Sequence, residues 1–164
     1  MATVGYMKIS EVSDGAGTSK SIRGLAQSGH EDEITVFSFQ ANAIVPRDPN
    51  SGTALGTRKH LPAVFTKPLD KASPILWQNL VTGQAMDIEL KFFRINTEDG
   101  TTEHYYTMKW SDAILVDGKT IIPDTTDSAN DLRGHYEEFS FTYRKIEWTH
   151  EIASSSASDD YRER

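Results

Sequence analysis

Met86, Ile88, Leu90 and Phe92 alternate with Asp87, Glu89 and Lys91. A period of two places the apolar set on one face of an extended strand and the charged set on the other. No helical arc gathers those apolar side chains, so the stretch commits the chain to a half-buried sheet. The alternation recurs at Phe37, Phe39, Ala41, Ala43 and Val45, set against Ser38, Gln40 and Asn42. The first set is expected inward and the second outward. That outward set is polar yet uncharged, which is unusual for an ordinary solvent face. Ile34 and Val36 have the opposite parity, predicting a bulge or bend at Val36-Phe37. A second slip at Arg144-Lys145 separates Phe139, Phe141 and Tyr143 from Ile146 and Trp148, and predicts another.

The remaining elements read from local chemistry. Residues 3–9 read as a first strand and 21–26 as a short one, separated by turn residues at 13–19. Residues 46–57 form a long breaker-rich loop, followed by an extended stretch over 58–67. The pattern predicts a helix over 71–82, with Asp70 or Ser73 as N-cap, Pro74 in the first turn and Gly83 as the stop. Asp99-Gly100 marks a hairpin, and Asp117-Gly118 reads as a second. The last long strand covers 136–150. Seven or eight strands and one helix point to a mainly β, antiparallel fold, closed as a barrel or packed as two sheets. A single domain is expected over 1–152, with a flexible Ser-rich tail over 153–164.

Composition excludes several functions. The 164 residues suffice for a core without metal or disulfide staples. A net charge of −7 without clustered Lys and Arg argues against nucleic acid and anionic membrane as partners. The absence of cysteine removes thiolate nucleophiles and thiolate metal sites. No run is long and apolar enough to span a bilayer. Residues 1–8 lack a basic region followed by an apolar stretch, so no classical signal peptide is expected and the sequence alone points to the cytoplasm.

His30-Glu31-Asp32-Glu33 carries metal-ligand residue types. On a strand, however, His30 and Asp32 face away from Glu31 and Glu33, and two ligands do not close a site. His60, His104, His135 and His150 lie among polar neighbours and read as surface histidines. No nucleophile elbow, phosphate loop or dinucleotide fingerprint is present. No catalytic, metal or cofactor residue is therefore assigned, and an enzyme is not expected. Trp77, Trp110 and Trp148 read as core.

The segment 46–60 differs, because it places Arg47, Arg58, Lys59 and His60 beside Asp48 in an acidic protein. It reads either as an ordinary solvated hairpin or as a contact arm whose positive charge meets an acidic patch, Glu31, Asp32 and Glu33, on a neighbouring copy. Such complementarity sets register more than affinity.

Several segments carry a resemblance. They are Gly29-His30-Glu31-Asp32-Glu33 running into the strand at 34–39, the Pro46–Pro49 turn, Asp70-Lys71-Ala72-Ser73-Pro74, Glu89-Leu90-Lys91-Phe92, Phe141-Thr142-Tyr143-Arg144-Lys145-Ile146-Glu147-Trp148 and Ser158-Asp159-Asp160-Tyr161-Arg162. In this order and spacing the chain resembles the haemolysin-coregulated protein family (Hcp), tube proteins of bacterial type VI secretion. The resemblance implies two sheets with a flanking helix, similar to phage tail-tube proteins. It implies homohexameric rings that stack into a tube, capped by a spike protein of the VgrG type and surrounded by a contractile sheath. It implies small effectors carried in the lumen, and release from the bacterial cytoplasm without a signal peptide. Ser38, Gln40 and Asn42 would suit that lumen, and no catalytic residue or C-terminal effector extension is expected. The competing readings are a phage-like tail-tube subunit and a carbohydrate- or ligand-binding β-sandwich.

Overall fold

The computed structural model describes residues 3–161. Its strands are β1 (Gly5–Ile9), β2 (Ile34–Val36), β3 (Ser38–Gln40), β4 (Ala43–Ile44), β5 (Lys59–His60), β6 (Ala63–Pro68), β7 (Met86–Ile95), β8 (Thr102–Ile121), β9 (Tyr136–Thr142), β10 (Lys145–His150) and β11 (Ser155–Asp160). All pairings are antiparallel, and they build two packed sheets. The first runs β2-β1-β7-β8-β10-β11 and the second β8-β9-β6-β3. Strand β8 serves both: residues up to Ala113 pair with β7, and residues from Ile114 pair with β9.

Both predicted phase slips are places where the chain changes sheet. β2 pairs with β1, β3 pairs with β6, and Phe37 between them donates its N–H to Thr66 O at 2.8 Å. Likewise β9 lies in the second sheet and β10 in the first, with Arg144 N–H donating to Ser111 O between them. The parity must reverse at these points, because each sheet presents its own inner face to the shared core.

That core joins Met7, Ile9, Ile88, Leu90 and Trp110 of the first sheet to Phe65, Phe139 and Phe141 of the second. Trp110 meets Phe141 edge-on at 5.1 Å between centroids. Each such side chain contributes about 1.5–3 kcal/mol by leaving water.

The helix α1 (Ser73–Thr82) begins two residues later than the pattern predicts. Neither Asp70 nor Ser73 is its N-cap, which is Ala72, without a side-chain cap bond. The Asp70 carboxylate accepts the Ala72 N–H at 3.0 Å, and Ser73 Oγ accepts the Asp70 N–H at 3.0 Å. Gly83, at φ 69°, closes the helix through its N–H to Asn79 O. Beneath the helix lies a buried polar cluster. Lys67 Nζ reaches Asp70 at 2.9 Å, Glu137 at 3.0 Å and Ser73 Oγ at 2.9 Å, while Trp77 donates to the other oxygen of Glu137.

Four strand and turn assignments differ from the sequence reading. Residues 21–26 are turns, not a strand, with the Ser21 and Ile22 N–H groups both donating to Thr18 O. Asp117-Gly118 is no hairpin, since β8 runs straight through it with a register shift between Leu115 and Asp117. A Cβ on Gly118 would lie 3.0 Å from both Trp77 and Phe139, so glycine serves helix approach there rather than a turn. Of the set expected inward from Phe37 to Val45, only Phe39 packs on the core, and the rest are exposed. Finally, Ser155–Asp160 of the expected flexible tail is strand β11, paired along its length with β10. Positions 162–164 of that tail, including Arg162, lie outside the described residues.

Candidate assembly surfaces

The outward face of the second sheet is built row by row. Ser38 stands beside Thr66, Thr66 beside Glu138, and Glu138 beside Lys119. The next row is Gln40, Val64, Ser140 and Asp117. Between them, with opposite parity, Phe39, Phe65, Phe139 and Gly118 form an inward row. Ser38 Oγ donates to Thr66 Oγ1 at 2.8 Å, and Lys119 lies 3.9 Å from Glu138. Ser38, Thr66, Gln40 and Ser140 thus give this face hydroxyl and amide groups at the β3, β6 and β9 positions, and the charges Glu138, Lys119 and Asp117 gather toward β8. Ser38 and Gln40 are both exposed on it. Asn42 lies beyond the end of β3, where its carbonyl accepts the Leu61 N–H at 2.9 Å.

The 41–61 segment is an ordered ribbon. Ala43 pairs with His60, Ile44 with Lys59, and Arg47 bridges to Ala54. At the tip, Asp48 N–H donates to Thr53 O and Arg47 Nη1 to Gly52 O. The Asn50 N–H donates to the Asp48 carboxylate at 2.8 Å and holds that carboxyl below its usual range. Ile44, Val45 and Leu55 are exposed along the ribbon, Leu55 by 66%. Lys59 is exposed as well.

Arg58 does not project as the arm's free charge. Its Nε donates to Asp159 Oδ2 at 2.6 Å and its Nη2 to Asp160 O at 3.0 Å. His60, expected on the surface, has a side chain only 6% exposed. It sits 2.7 Å from the same Asp159 oxygen and 3.0 Å from Tyr143 Oη, and its N–H donates to Tyr161 Oη at 2.6 Å. The Arg58 and His60 hydrogen bonds hold the Asp159 carboxyl low. Burial, with Tyr161 and Asp159 nearby, pushes the Tyr143 hydroxyl up to about 12. Asp159, Tyr143 and Tyr161 escaped the sequence reading because their partners lie some hundred positions away or across a strand switch; the opposite charges of Arg58 and the Asp159-Asp160 pair were the one available signal.

The expected acidic patch is also reshaped. Glu33 is buried, 3.1 Å from Lys91 Nζ and 3.3 Å from His30 Nδ1. His30 stacks flat on Tyr6 at 3.7 Å. Asp32 accepts the Gly15 N–H at 2.9 Å, and Gly17 N–H donates to Glu31 O at 2.9 Å. Backbone N–H groups of Glu31 itself and Gly29 hold the Glu31 carboxyl low. The 29–33 segment thus staples the 13–17 loop to β1 and β7, and leaves the side chains of Glu31 and Asp32 exposed. The structure does not bring Arg47, Arg58 or Lys59 to them within one chain.

Comparison with known proteins agrees with this architecture. The family described as "Type VI secretion system effector, Hcp" matches residues 6–150. The chain is 44% identical to the "Major exported protein" of Pseudomonas aeruginosa, over 99% of its own length and 97% of that protein's. A crystal structure of an Hcp protein superposes with a TM-score of 0.92 at 37% identity, covering 99% of this chain and all of the other. The secreted protein Hcp3 from Pseudomonas aeruginosa gives 0.78 at 38% identity, covering 96% of this chain and 99% of the other.

Proposed function

We propose, from the premise that this chain belongs to the Hcp family of type VI secretion proteins, that it is a subunit of a secreted tube. Copies close into hexameric rings, and the rings stack around a hydrated lumen. The observation that carries this reading is the second sheet. It couples a hydroxyl- and amide-rich outward face to two unlike open edges, since β3 pairs only with β6, and β8 beyond Ile114 pairs only with β9, among the described residues. Open edges invite pairing with another chain. Unlike edges meet head-to-tail, and head-to-tail contacts close into rings when the rotation allows.

The arm supplies the second support. A two-stranded ribbon is marginal by itself, and exposed Ile44, Val45 and Leu55 favour burial against a neighbour. Arg47 and Lys59 supply its outward positive charge, and exposed Glu31 and Asp32 supply a receiver on the next copy. Asp48 orders the tip. Ser38 and Gln40, with Asn42 at the rim, face the lumen and hold small effectors through hydrogen bonds that release readily. A VgrG-type spike caps the tube and a contractile sheath drives it out of the bacterial cytoplasm. No catalytic step is assigned. Electron microscopy of the purified protein tests this reading: annular particles with a central hole are expected, and solid globular particles alone would refute it.

A further inference from the structure

We infer that the C-terminal strand β11 is a positioning element for the arm, with Asp159 as the residue that fixes the arm's root. The ribbon β4–β5 pairs with no other strand among the described residues. Its bonds to the body converge on one place. Arg58 and His60 reach the same Asp159 oxygen at 2.6 and 2.7 Å, and Arg58 also takes Asp160 O. Tyr161 Oη accepts the His60 N–H and Tyr143 Oη meets the His60 ring.

β11 is in turn tied down. It pairs with β10 from His150↔Ser155 to Lys145↔Asp160. Arg144 donates to Asp160 Oδ2 at 2.6 Å and to Asp112 Oδ2 at 2.7 Å, and the Tyr161 N–H donates to Arg144 O. A continuous chain of bonds therefore runs from β8 through Arg144 and β11 to the arm root. Ionised, short and partly shielded bonds of this kind are the strong ones. Aromatic contact adds to these bonds at the root, where the His60 ring lies edge-on to Tyr161 and Tyr143 at 5.0 and 5.5 Å between centroids, while Ser155, Ser156, Ala157 and Ser158 of β11 are exposed. Asp159 binds both Arg58 and His60, so losing it loosens the arm root while the two-sheet core stays folded. The consequence for ring closure rests on the reading of the arm as an assembly contact; the positioning itself does not.

The test is hydrogen exchange of the full chain, compared between wild type and variants on particles of matched mass. In Asp159→Ala, amides of 42–61 should exchange about tenfold faster, the loss of hydrogen bonds to a charged group, with β7 and β8 unchanged. Arg58→Ala should act in the same direction, and Asp159→Glu, which keeps the carboxylate, should stay near wild type. If Asp159→Ala unfolds globally, Arg58→Ala decides, because it leaves β11 untouched. Arm exchange at the wild-type rate in a folded variant would overturn the inference. Light scattering separates the two readings: rings that close normally around a loosened arm would refute the arm as an assembly contact and leave the positioning role standing.

Discussion

Lys67 Nζ lies 3.0 Å from Glu137 Oε2, with side-chain exposures of 0% and 2%. The same ammonium lies 2.9 Å from Asp70 Oδ1, so one buried cation faces two carboxylates. The cluster joins the start of the helix to β6 and β9, which also carry the outward face of the second sheet.

Replacing Lys67 by Met should therefore cost about 3–5 kcal/mol, because it strands buried negative charge. Burial pushes the Asp70 carboxyl up, against the pull of Lys67. A carboxyl raised in the fold binds its proton more tightly there, so stability tied to it is fullest below its unfolded value of 3.8 and declines as pH rises through the folded value. The Lys67→Met penalty should accordingly shrink on acidification. Urea unfolding of wild type and variant across pH measures both effects.

Asp159 has the opposite sign. Its carboxyl is lowered, first by the Arg58 hydrogen bond and then by that of His60. The contribution is present above the unfolded value of 3.8 and is lost as pH falls through the folded value. Proteolysis within the arm should accelerate as pH falls below the ordinary aspartate range.

Gly118→Ala should push α1 off β8, because the new Cβ meets Trp77 and Phe139 at 3.0 Å and Leu80 at 3.1 Å. Overpacking of this kind costs about 1–3 kcal/mol. Gly17→Ala should be worse, since its Cβ falls 1.9 Å from the His30 carbonyl and no rotamer relieves a backbone clash. Thermal unfolding should rank the two in that order, with altered Trp fluorescence in the first.

Gln40→Arg places a bulky charge on the outward face without touching the inward Phe39–Phe65 row. Ring mass should be unchanged, and a small effector co-expressed with the protein should be retained less. Undiminished retention would remove Gln40 from the lumen.

Much of the fold is legible locally. The alternation at Met86–Phe92, the Asp99-Gly100 hairpin and the helix between Asp70 and Gly83 all depend on near neighbours. The parity slips at Phe37 and Arg144 were visible too, although their meaning as sheet crossings needed the partners. Asp117-Gly118 misled because the glycine answers to Trp77 of the helix, a contact distant in sequence. β11 was hidden because serine is a weak strand former and its charged anchors, Arg58 and Arg144, lie elsewhere. Burial of Glu33 was equally hidden, since Lys91 on β7 neutralises it. The outward Ser38 and Gln40 were legible from parity, whereas His60 was not, because its shield is assembled from Tyr143, Asp159 and Tyr161.

The central claim is closure of identical copies around a hole. Size-exclusion chromatography with light scattering tests it most directly. A species of about six times the 18.3 kDa chain mass that persists on dilution is expected. A single-subunit mass at every concentration would contradict it.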